Sequence, residues 1–367
     1  MRDAPIVIAA GGTGGHFFPA EALAAELLAR GRRVVLLTDA RAGALNSPAF
    51  AGQRTHVIAG AGIAGRGLAR GIRAALSMSK GVAQAWRIIV RTRPAAVVGF
   101  GGYPCVAPVL AASLRRPRPV IVLHEQNAVL GRANRALAGR CDLLALSLPG
   151  TTRLPTGTRH ELLGNPVRPA IAALAGQSYA APGEHIQLLV LGGSLGARVF
   201  SDVVPPALAL LAPGLRGRLR VTQQCRAEDL ERVRAAYASE GISAELASFF
   251  SDMPALLARA HLVIARAGAS TVAELAVAGR PAVLVPLPGA IDDHQSANAR
   301  GLADAGAAWL LAQAQFSAPA LAALLTELLS TPARLVAAAY AAAAQGRPHA
   351  AAALADATLA LLREISA

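Results

Sequence analysis

Ile6-Val7-Ile8-Ala9-Ala10 runs straight into Gly11-Gly12-Thr13-Gly14-Gly15-His16, and an apolar helical pattern begins near Pro19. The same arrangement returns half a chain later, where Leu188-Leu189-Val190-Leu191 enters Gly192-Gly193-Ser194-Leu195-Gly196-Ala197. Glycines at the carboxyl end of a strand let the backbone turn sharply and bring its N–H groups against a ligand. The helix that follows points its positive dipole end at the same spot. Two such units predict an α/β protein of two doubly wound, Rossmann-like domains facing a cleft.

Neither loop fits the commoner nucleotide fingerprints. The dinucleotide pattern G-x-G-x-x-G fails because Phe17 stands where the third glycine belongs after Gly12 and Gly14. Lys80 is the only lysine and no G-x-x-x-x-G-K-[ST] occurs, which excludes a P-loop. Backbone N–H groups and arginine are therefore expected to hold the anion. A dehydrogenase stays open through Asp39, which closes the apolar run Val34 to Leu37 where a ribose-binding acid would sit.

A chain of 367 residues suits two domains, each able to bury its own core. Hydrophobic residues make up 54%, yet alanine supplies much of this and no apolar run reaches the roughly 18 residues of a spanning helix. A strand so soon after Met1 leaves no expected room for a signal peptide. Cys105, Cys141 and Cys225 are scattered and odd in number, which favours reduced thiols in a cytoplasm over a zinc site or a disulfide framework.

The net charge of +14 is lopsided. Residues 1–166 hold 21 Arg and Lys against seven Asp and Glu, whereas the rest balances, and no acid occurs between Asp39 and Glu125. An anionic partner for the first half is implied, unless the bias is compositional drift in an arginine-rich proteome. Aromatics are only 4% and form no stacking platform, which argues against nucleic acid. Between Gly71 and Arg93, Ile72, Leu76, Val82, Trp86 and Ile89 are interleaved with Arg73, Lys80, Arg87 and Arg91. That pattern suits an anionic membrane surface, with Ile72, Leu76, Trp86, Arg87 and Arg91 as the contacts; it also suits a helix packed on a sheet.

In the first half Ile6–Ala10, Val34–Leu37, Ala95–Val98, Val120–Leu123 and Leu143–Leu146 read as strands between alanine-rich helices. A second series runs Gln187–Leu191, Leu219–Thr222, His261–Ala265, Ala282–Val285 and Ala307–Leu311. Gly164-Asn165-Pro166 marks the boundary, giving domains of residues 1–166 and 167–345. The last apolar helix, within residues 346–367, is expected to return to the first domain.

Seven motifs, in order along the whole chain, resemble those of the MurG family of peptidoglycan glycosyltransferases, which have the two-domain GT-B fold. They are Gly11-Gly12-Thr13-Gly14-Gly15-His16-Phe17-Phe18-Pro19, Gly101-Gly102-Tyr103, His124-Glu125-Gln126-Asn127 and Gly164-Asn165-Pro166-Val167-Arg168. With them go Gly192–Ala197, Arg266-Ala267-Gly268-Ala269-Ser270-Thr271-Val272-Ala273-Glu274 and Asp292-Asp293-His294-Gln295. The resemblance implies an inverting hexosyltransferase. It would move N-acetylglucosamine from UDP-N-acetylglucosamine to the C4 hydroxyl of the muramyl sugar of lipid I, giving lipid II on the cytoplasmic face of the cell (inner) membrane. Other cell-wall synthesis proteins are possible partners on the same grounds.

Displacing UDP needs stabilised diphosphate charge, a base for the acceptor hydroxyl, and groups that read the sugar. Arg168, Ser194 and the helix start Ala269, Ser270 and Thr271 are the expected diphosphate ligands, although Ser270 and Thr271 also suit plain helix capping. Glu274 resembles the ribose ligand; Thr13, Gly14, Gly15, Val272 and Ala273 are implied donor contacts. Gln295 and His294 resemble sugar readers, and Asn127 resembles a donor-sugar contact from the first domain. His16 and Glu125 are rival bases, while Gly12, Gly101, Gly102 and Tyr103 are expected to cradle the acceptor diphosphate. No D-x-D occurs, so no cofactor or obligatory metal is expected. Cys105 stands near a usual serine or threonine, Ala267 where serine is common, and Phe250 is large for the site whose backbone meets uracil. A UDP-N-acetylglucosamine 2-epimerase, a lipid glycosyltransferase of the same fold, and a non-catalytic anionic-lipid binder are the alternatives.

Overall fold

Short β-branched runs buried on both faces form the parallel sheets that the sequence predicts, because such strands lie between helix layers and need no polar face. The computed structural model describes residues 4–11, 14–41, 47–60, 68–193 and 196–364. It divides into two units, Met1–Arg168 with His349–Ala367, and Pro169–Pro348. Val167 and Arg168 thus belong to the first unit, and Gly346 to Pro348 to the second, a shift of two or three residues from the punctuation read in the sequence.

The first unit begins β1 (Ile6–Ala9), α1 (Gly14–Ala29), β2 (Val34–Thr38), β3 (Arg54–Val57) and α2 (Leu68–Thr92). It continues through β4 (Ala96–Gly99), α3 (Gly102–Leu114), β5 (Val120–Glu125), α4 (Arg132–Leu137), β6 (Leu143–Leu146) and β7 (His160–Leu162). Its sheet has the order β3-β2-β1-β4-β5-β6-β7, all parallel. Side chains alternate along each strand. Ile6 and Ile8 face one core with Leu23 and Leu27 of α1, while Val7 and Ala9 face the other with Ala85 and Ile89 of α2.

The second unit opens with α5 (Pro169–Ala172), β8 (Ile186–Leu191), α6 (Arg198–Ala209), α7 (Pro213–Arg216), β9 (Leu219–Gln224) and α8 (Leu230–Ser239). Next come β10 (Ser243–Ala247), α9 (Met253–Arg259), β11 (Leu262–Ala265), α10 (Ala269–Ala278) and β12 (Ala282–Leu284). Then follow α11 (His294–Asp304), β13 (Ala308–Leu310), α12 (Ala318–Ser330) and α13 (Pro332–Gln345). The sheet order, β10-β9-β8-β11-β12-β13, repeats the plan of the first. The final helix α14 (Ala350–Glu364) lies in the first unit. Its Leu354 and Leu361 enter the α1-side core, and Asp356 pairs with Arg30 at 2.5 Å. No single helix among the described residues is long and apolar enough to cross a membrane.

In each sheet the direction of winding reverses once, between β1 and β4 and between β8 and β11. Ligands of open α/β sheets bind outside the carboxyl ends of strands at such switch points. Ala9 pairs with Gly99 and Leu191 with Ala265, so both glycine loops open at a switch point.

Candidate functional site

At the first switch point the glycine loop is also the helix start. α1 begins at Gly14, so His16 lies in its first turn, and Pro19, read as the helix start, is inside it. Gly12 and Thr13 lie outside the described residues; Gly14 is buried and Gly15 exposed. Opposite, Gly101 and Gly102 turn into α3 with φ of +77° and +66°, a region glycine enters without strain. A Cβ on Gly102 would lie 3.2 Å from His16 Nε2, and one on Gly101 would lie 3.2 Å from Asn134 Nδ2. Both glycines therefore provide close approach as well as the turn.

The half-buried imidazole of His16 meets Gln126 Oε1 through Nδ1 at 3.0 Å. Burial pushes its pKa down, against the charge of Glu125 and the hydrogen bonds of Gln126 and Phe100, with Arg41 adding to the fall. At neutral pH the ring is uncharged and able to take a proton.

Glu125 does not have the environment of a base. Its Oε1 accepts from the backbone N and the side-chain Nδ2 of Asn127, each at 3.0 Å. Its Oε2 accepts from Gly131 N at 2.8 Å and Asn134 Nδ2 at 3.0 Å. Four donors occupy the carboxylate and the residue is 2% exposed, so it braces the loop between β5 and α4 instead of facing a substrate. The base expected as an alternative to His16 is corrected to a structural acid on this geometry.

Tyr103 and Asp39 also differ from expectation. The Tyr103 hydroxyl donates to Asp39 Oδ2 at 2.9 Å, and Arg41 binds the same carboxylate at 2.6 Å while stacking over the Tyr103 ring. Burial works to raise the Asp39 pKa, but the hydrogen bonds from Arg41 and Tyr103 prevail and hold it below the ordinary value. A carboxylate so engaged is not a ribose ligand in waiting. Arg41, which the sequence reading passed over, is half-exposed, with its guanidinium beside Gly11. Cys105 supplies no surface thiol. It is fully buried, donates to Gly102 O, and burial pushes its pKa up to about 12.

Arg168 stacks its guanidinium 5.0 Å from the centroid of the Phe18 ring on α1, as the last residue of the first unit. In α2, Leu76 is 66% and Trp86 38% exposed, with Arg87 and Arg91 at the surface. Ile89 turns inward, being fully buried against the sheet with Ala85, and Val90 joins the exposed face instead. The Ile72 side chain and Ser194 lie outside the described residues.

At the second switch point, Gly268 caps α10 without a side chain, leaving the N–H groups of Ala269, Ser270 and Thr271 at a bare helix start. Among the described residues, Ser270 Oγ is buried with no partner. An orphan hydroxyl beside free amides is the arrangement expected where an anion completes the bonding. Val272 and Ala273 follow in the first turns, and half-buried Glu274 stands one turn beyond Ser270. Arg266 is committed elsewhere, donating to Val285 O, Pro286 O and Gln313 Oε1.

Asp292 and Asp293 lead into α11 at φ of +56° and +52°, a left-handed pair costly for non-glycine residues. This places His294 and Gln295 on the first turn of α11. His294 Nδ1 donates to Ile291 O, and Gln295 Oε1 accepts from Leu287 N, leaving the Gln295 amide nitrogen for a hydroxyl. After β10, Phe250 is half-buried, whereas neighbouring Phe249 is 72% exposed. Side-chain class alone picks out neither as the outward ring.

Two doubly wound units, each with a glycine turn and a helix start at its switch point, have the plan of the nucleotide-sugar enzymes of the GT-B fold. The descriptions of the glycosyltransferase family 28 N-terminal and C-terminal domains match residues 6–145 and 187–354. The chain belongs to glycosyltransferase family 28. It is 61% identical over 354 residues to a protein of Granulibacter bethesdensis, covering 96% of this chain and 92% of that one. A Gluconobacter oxydans relative is 54% identical, with 96% and 97% covered. Both are named UDP-N-acetylglucosamine--N-acetylmuramyl-(pentapeptide) pyrophosphoryl-undecaprenol N-acetylglucosamine transferase. The crystal structure of Acinetobacter baumannii MurG is 30% identical with a TM-score of 0.76, covering 97% of this chain and 99% of that one. A UDP-N-acetylglucosamine 2-epimerase structure from Listeria monocytogenes is 14% identical with a TM-score of 0.65, a likeness of fold alone.

Proposed function

We propose that this chain transfers N-acetylglucosamine from UDP-N-acetylglucosamine to the C4 hydroxyl of the muramyl sugar of lipid I, with inversion, giving lipid II. The observation that carries the chemistry is the neutral, half-buried His16, facing Gly102 at one switch point in a family 28 chain. His16 Nε2 takes the C4 hydroxyl proton as the new oxygen–C1 bond forms. The C1–phosphate oxygen bond breaks and its electron pair leaves with UDP. The free amides of α10 and the guanidinium of Arg168 stabilise the departing diphosphate; Glu274 holds the ribose; Gln295 and His294 read the sugar. Val272, Ala273 and the Phe250 loop are further donor contacts within the second unit. Gly12, Gly101 and Gly102 cradle the acceptor diphosphate, and Tyr103 shapes that cradle through Asp39 and Arg41.

Metal-independence is part of this reading. It rests on the absence of a D-x-D motif in the sequence. The enzyme works peripherally at the cytoplasmic face of the membrane. The basic first half and the exposed Leu76, Trp86 and Val90 beside Arg87 and Arg91 support that placement. The test is transfer of radiolabelled N-acetylglucosamine to a lipid I analogue in EDTA. Label should enter the lipid fraction and be released by a β-N-acetylhexosaminidase. Transfer that needs added metal, or label resistant to that enzyme, would overturn the metal-free or the inverting part respectively.

A further inference from the structure

His124 and Gln126 point to the same side of β5 and its continuation, as alternate residues of an extended segment must. The orientation of the Gln126 carboxamide is fixed by its surroundings. Nε2 lies 3.1 Å from Phe100 O and 3.1 Å from His124 O, two carbonyls that accept and never donate. The reversed amide would set oxygen against oxygen twice in a buried place, so the NH2 group must face the carbonyls. Nε2 also lies 2.9 Å from His124 Nδ1; an amide nitrogen offers no lone pair to accept a hydrogen, so Nδ1 is bare. The other nitrogen of that ring then carries the hydrogen and donates to Gly164 O at 3.0 Å. This leaves Gln126 Oε1 with one role towards His16 Nδ1, 3.0 Å away: it accepts, and Nδ1 carries the hydrogen.

We propose that Gln126, held by His124 and the Phe100 carbonyl, is a positioning residue that selects the Nδ1–H tautomer of His16. The basic lone pair is thereby placed on Nε2, beside the glycine turn at Gly102. The proposal deepens the reading of His16 as base and rests on it. Other groups set the basicity of the ring: burial lowers its pKa, Glu125 and a backbone hydrogen bond of Phe100 raise it, Arg41 lowers it, and neutral His124 stands behind Gln126.

The test reads the tautomer directly. Long-range 1H–15N correlation of histidine-labelled full-length protein at pH 7.5, with His16→Ala to identify the resonances, should show a protonated Nδ1 and a bare Nε2 for His16. In Gln126→Leu the Nε2–H form should gain population and kcat should fall about five- to tenfold, the factor one hydrogen bond commands. KM for both substrates should hold, and the acid limb of the pH–rate profile should move to lower pH because a contact favouring the cation is gone. A protonated Nε2 in the wild type overturns the proposal whether or not Gln126→Leu folds, and so does an unchanged tautomer in that variant. Full turnover in His16→Ala would instead overturn the base reading and leave the tautomer result standing.

Discussion

Acid should unfold the first unit through His124, by an amount the structure sets. The ring is fully buried, 5.2 Å from the Phe100 ring centroid, and its two nitrogens are spent on Gln126 and Gly164 O. Burial lowers its pKa to about 4 from an unfolded value of 6.5. Between those values the unfolded chain binds a proton that the native ring refuses, so stability falls as pH drops through 6.5 and stops falling below about 4. One proton costs about 1.4 kcal/mol per pH unit, so moving from pH 7 to pH 5 should remove about 2 kcal/mol. The two tryptophans lie one in each unit, and a Trp309→Phe background leaves Trp86 to report the first unit alone. In that background, urea denaturation at pH 7 and pH 5 should show the loss, and His124→Asn should reduce it by about 2 kcal/mol while His16 still contributes. An equal pH dependence in the two proteins would refute the argument. So would direct titration of the His124 ring by NMR with an ordinary pKa, which needs no variant.

Three further expectations follow from the site and surface. Arg168→Ala and Glu274→Ala should each weaken UDP binding by about 1.5–3 kcal/mol in calorimetry, and EDTA should change nothing; undiminished affinity in both variants would remove them from the donor site. Sedimentation with anionic vesicles should fall steeply with salt, since exposed charges are screened over about 8 Å at physiological ionic strength. It should fall further for a Trp86→Ala, Arg87→Ala, Arg91→Ala variant, and equal binding to neutral vesicles would contradict the membrane face. Glu125→Gln, whose NH2 must face two of the four donors that the carboxylate serves, should lower the stability of the first unit in urea denaturation, and the acid limb of its remaining turnover should move to lower pH because a charge that raises the His16 pKa is lost; unchanged stability would contradict the bracing role.

The interior of the fold was legible because parallel strands between two helix layers are continuous apolar runs, as in Ile6–Ala9 and Leu262–Ala265. The strands that the sequence did not announce, Arg54–Val57, His160–Leu162 and Ser243–Ala247, all lie at sheet edges. They are largely exposed, and residues such as Arg54, His160 and Glu245 break any apolar pattern. The glycine turns could be read because a turn is a local property. The duties of Glu125, Asp39 and Tyr103 could not, since their partners come from separate loops and only the packed sheet brings those loops together. One signal was available: the alternation of His124 with Gln126, and of Glu125 with Asn127, already separates two sides of one extended segment.

The most direct measurement of the account's centre is the turnover of His16→Ala with lipid I analogue and UDP-N-acetylglucosamine both saturating, taken beside its affinity for UDP. Loss of a general base costs about 10²–10⁴-fold, and turnover should fall by about that factor. UDP affinity should stay at the wild-type value, because the imidazole belongs to the acceptor side. Turnover near wild type, or loss of UDP binding in step with turnover, would contradict the assignment of His16 as the group that takes the acceptor proton.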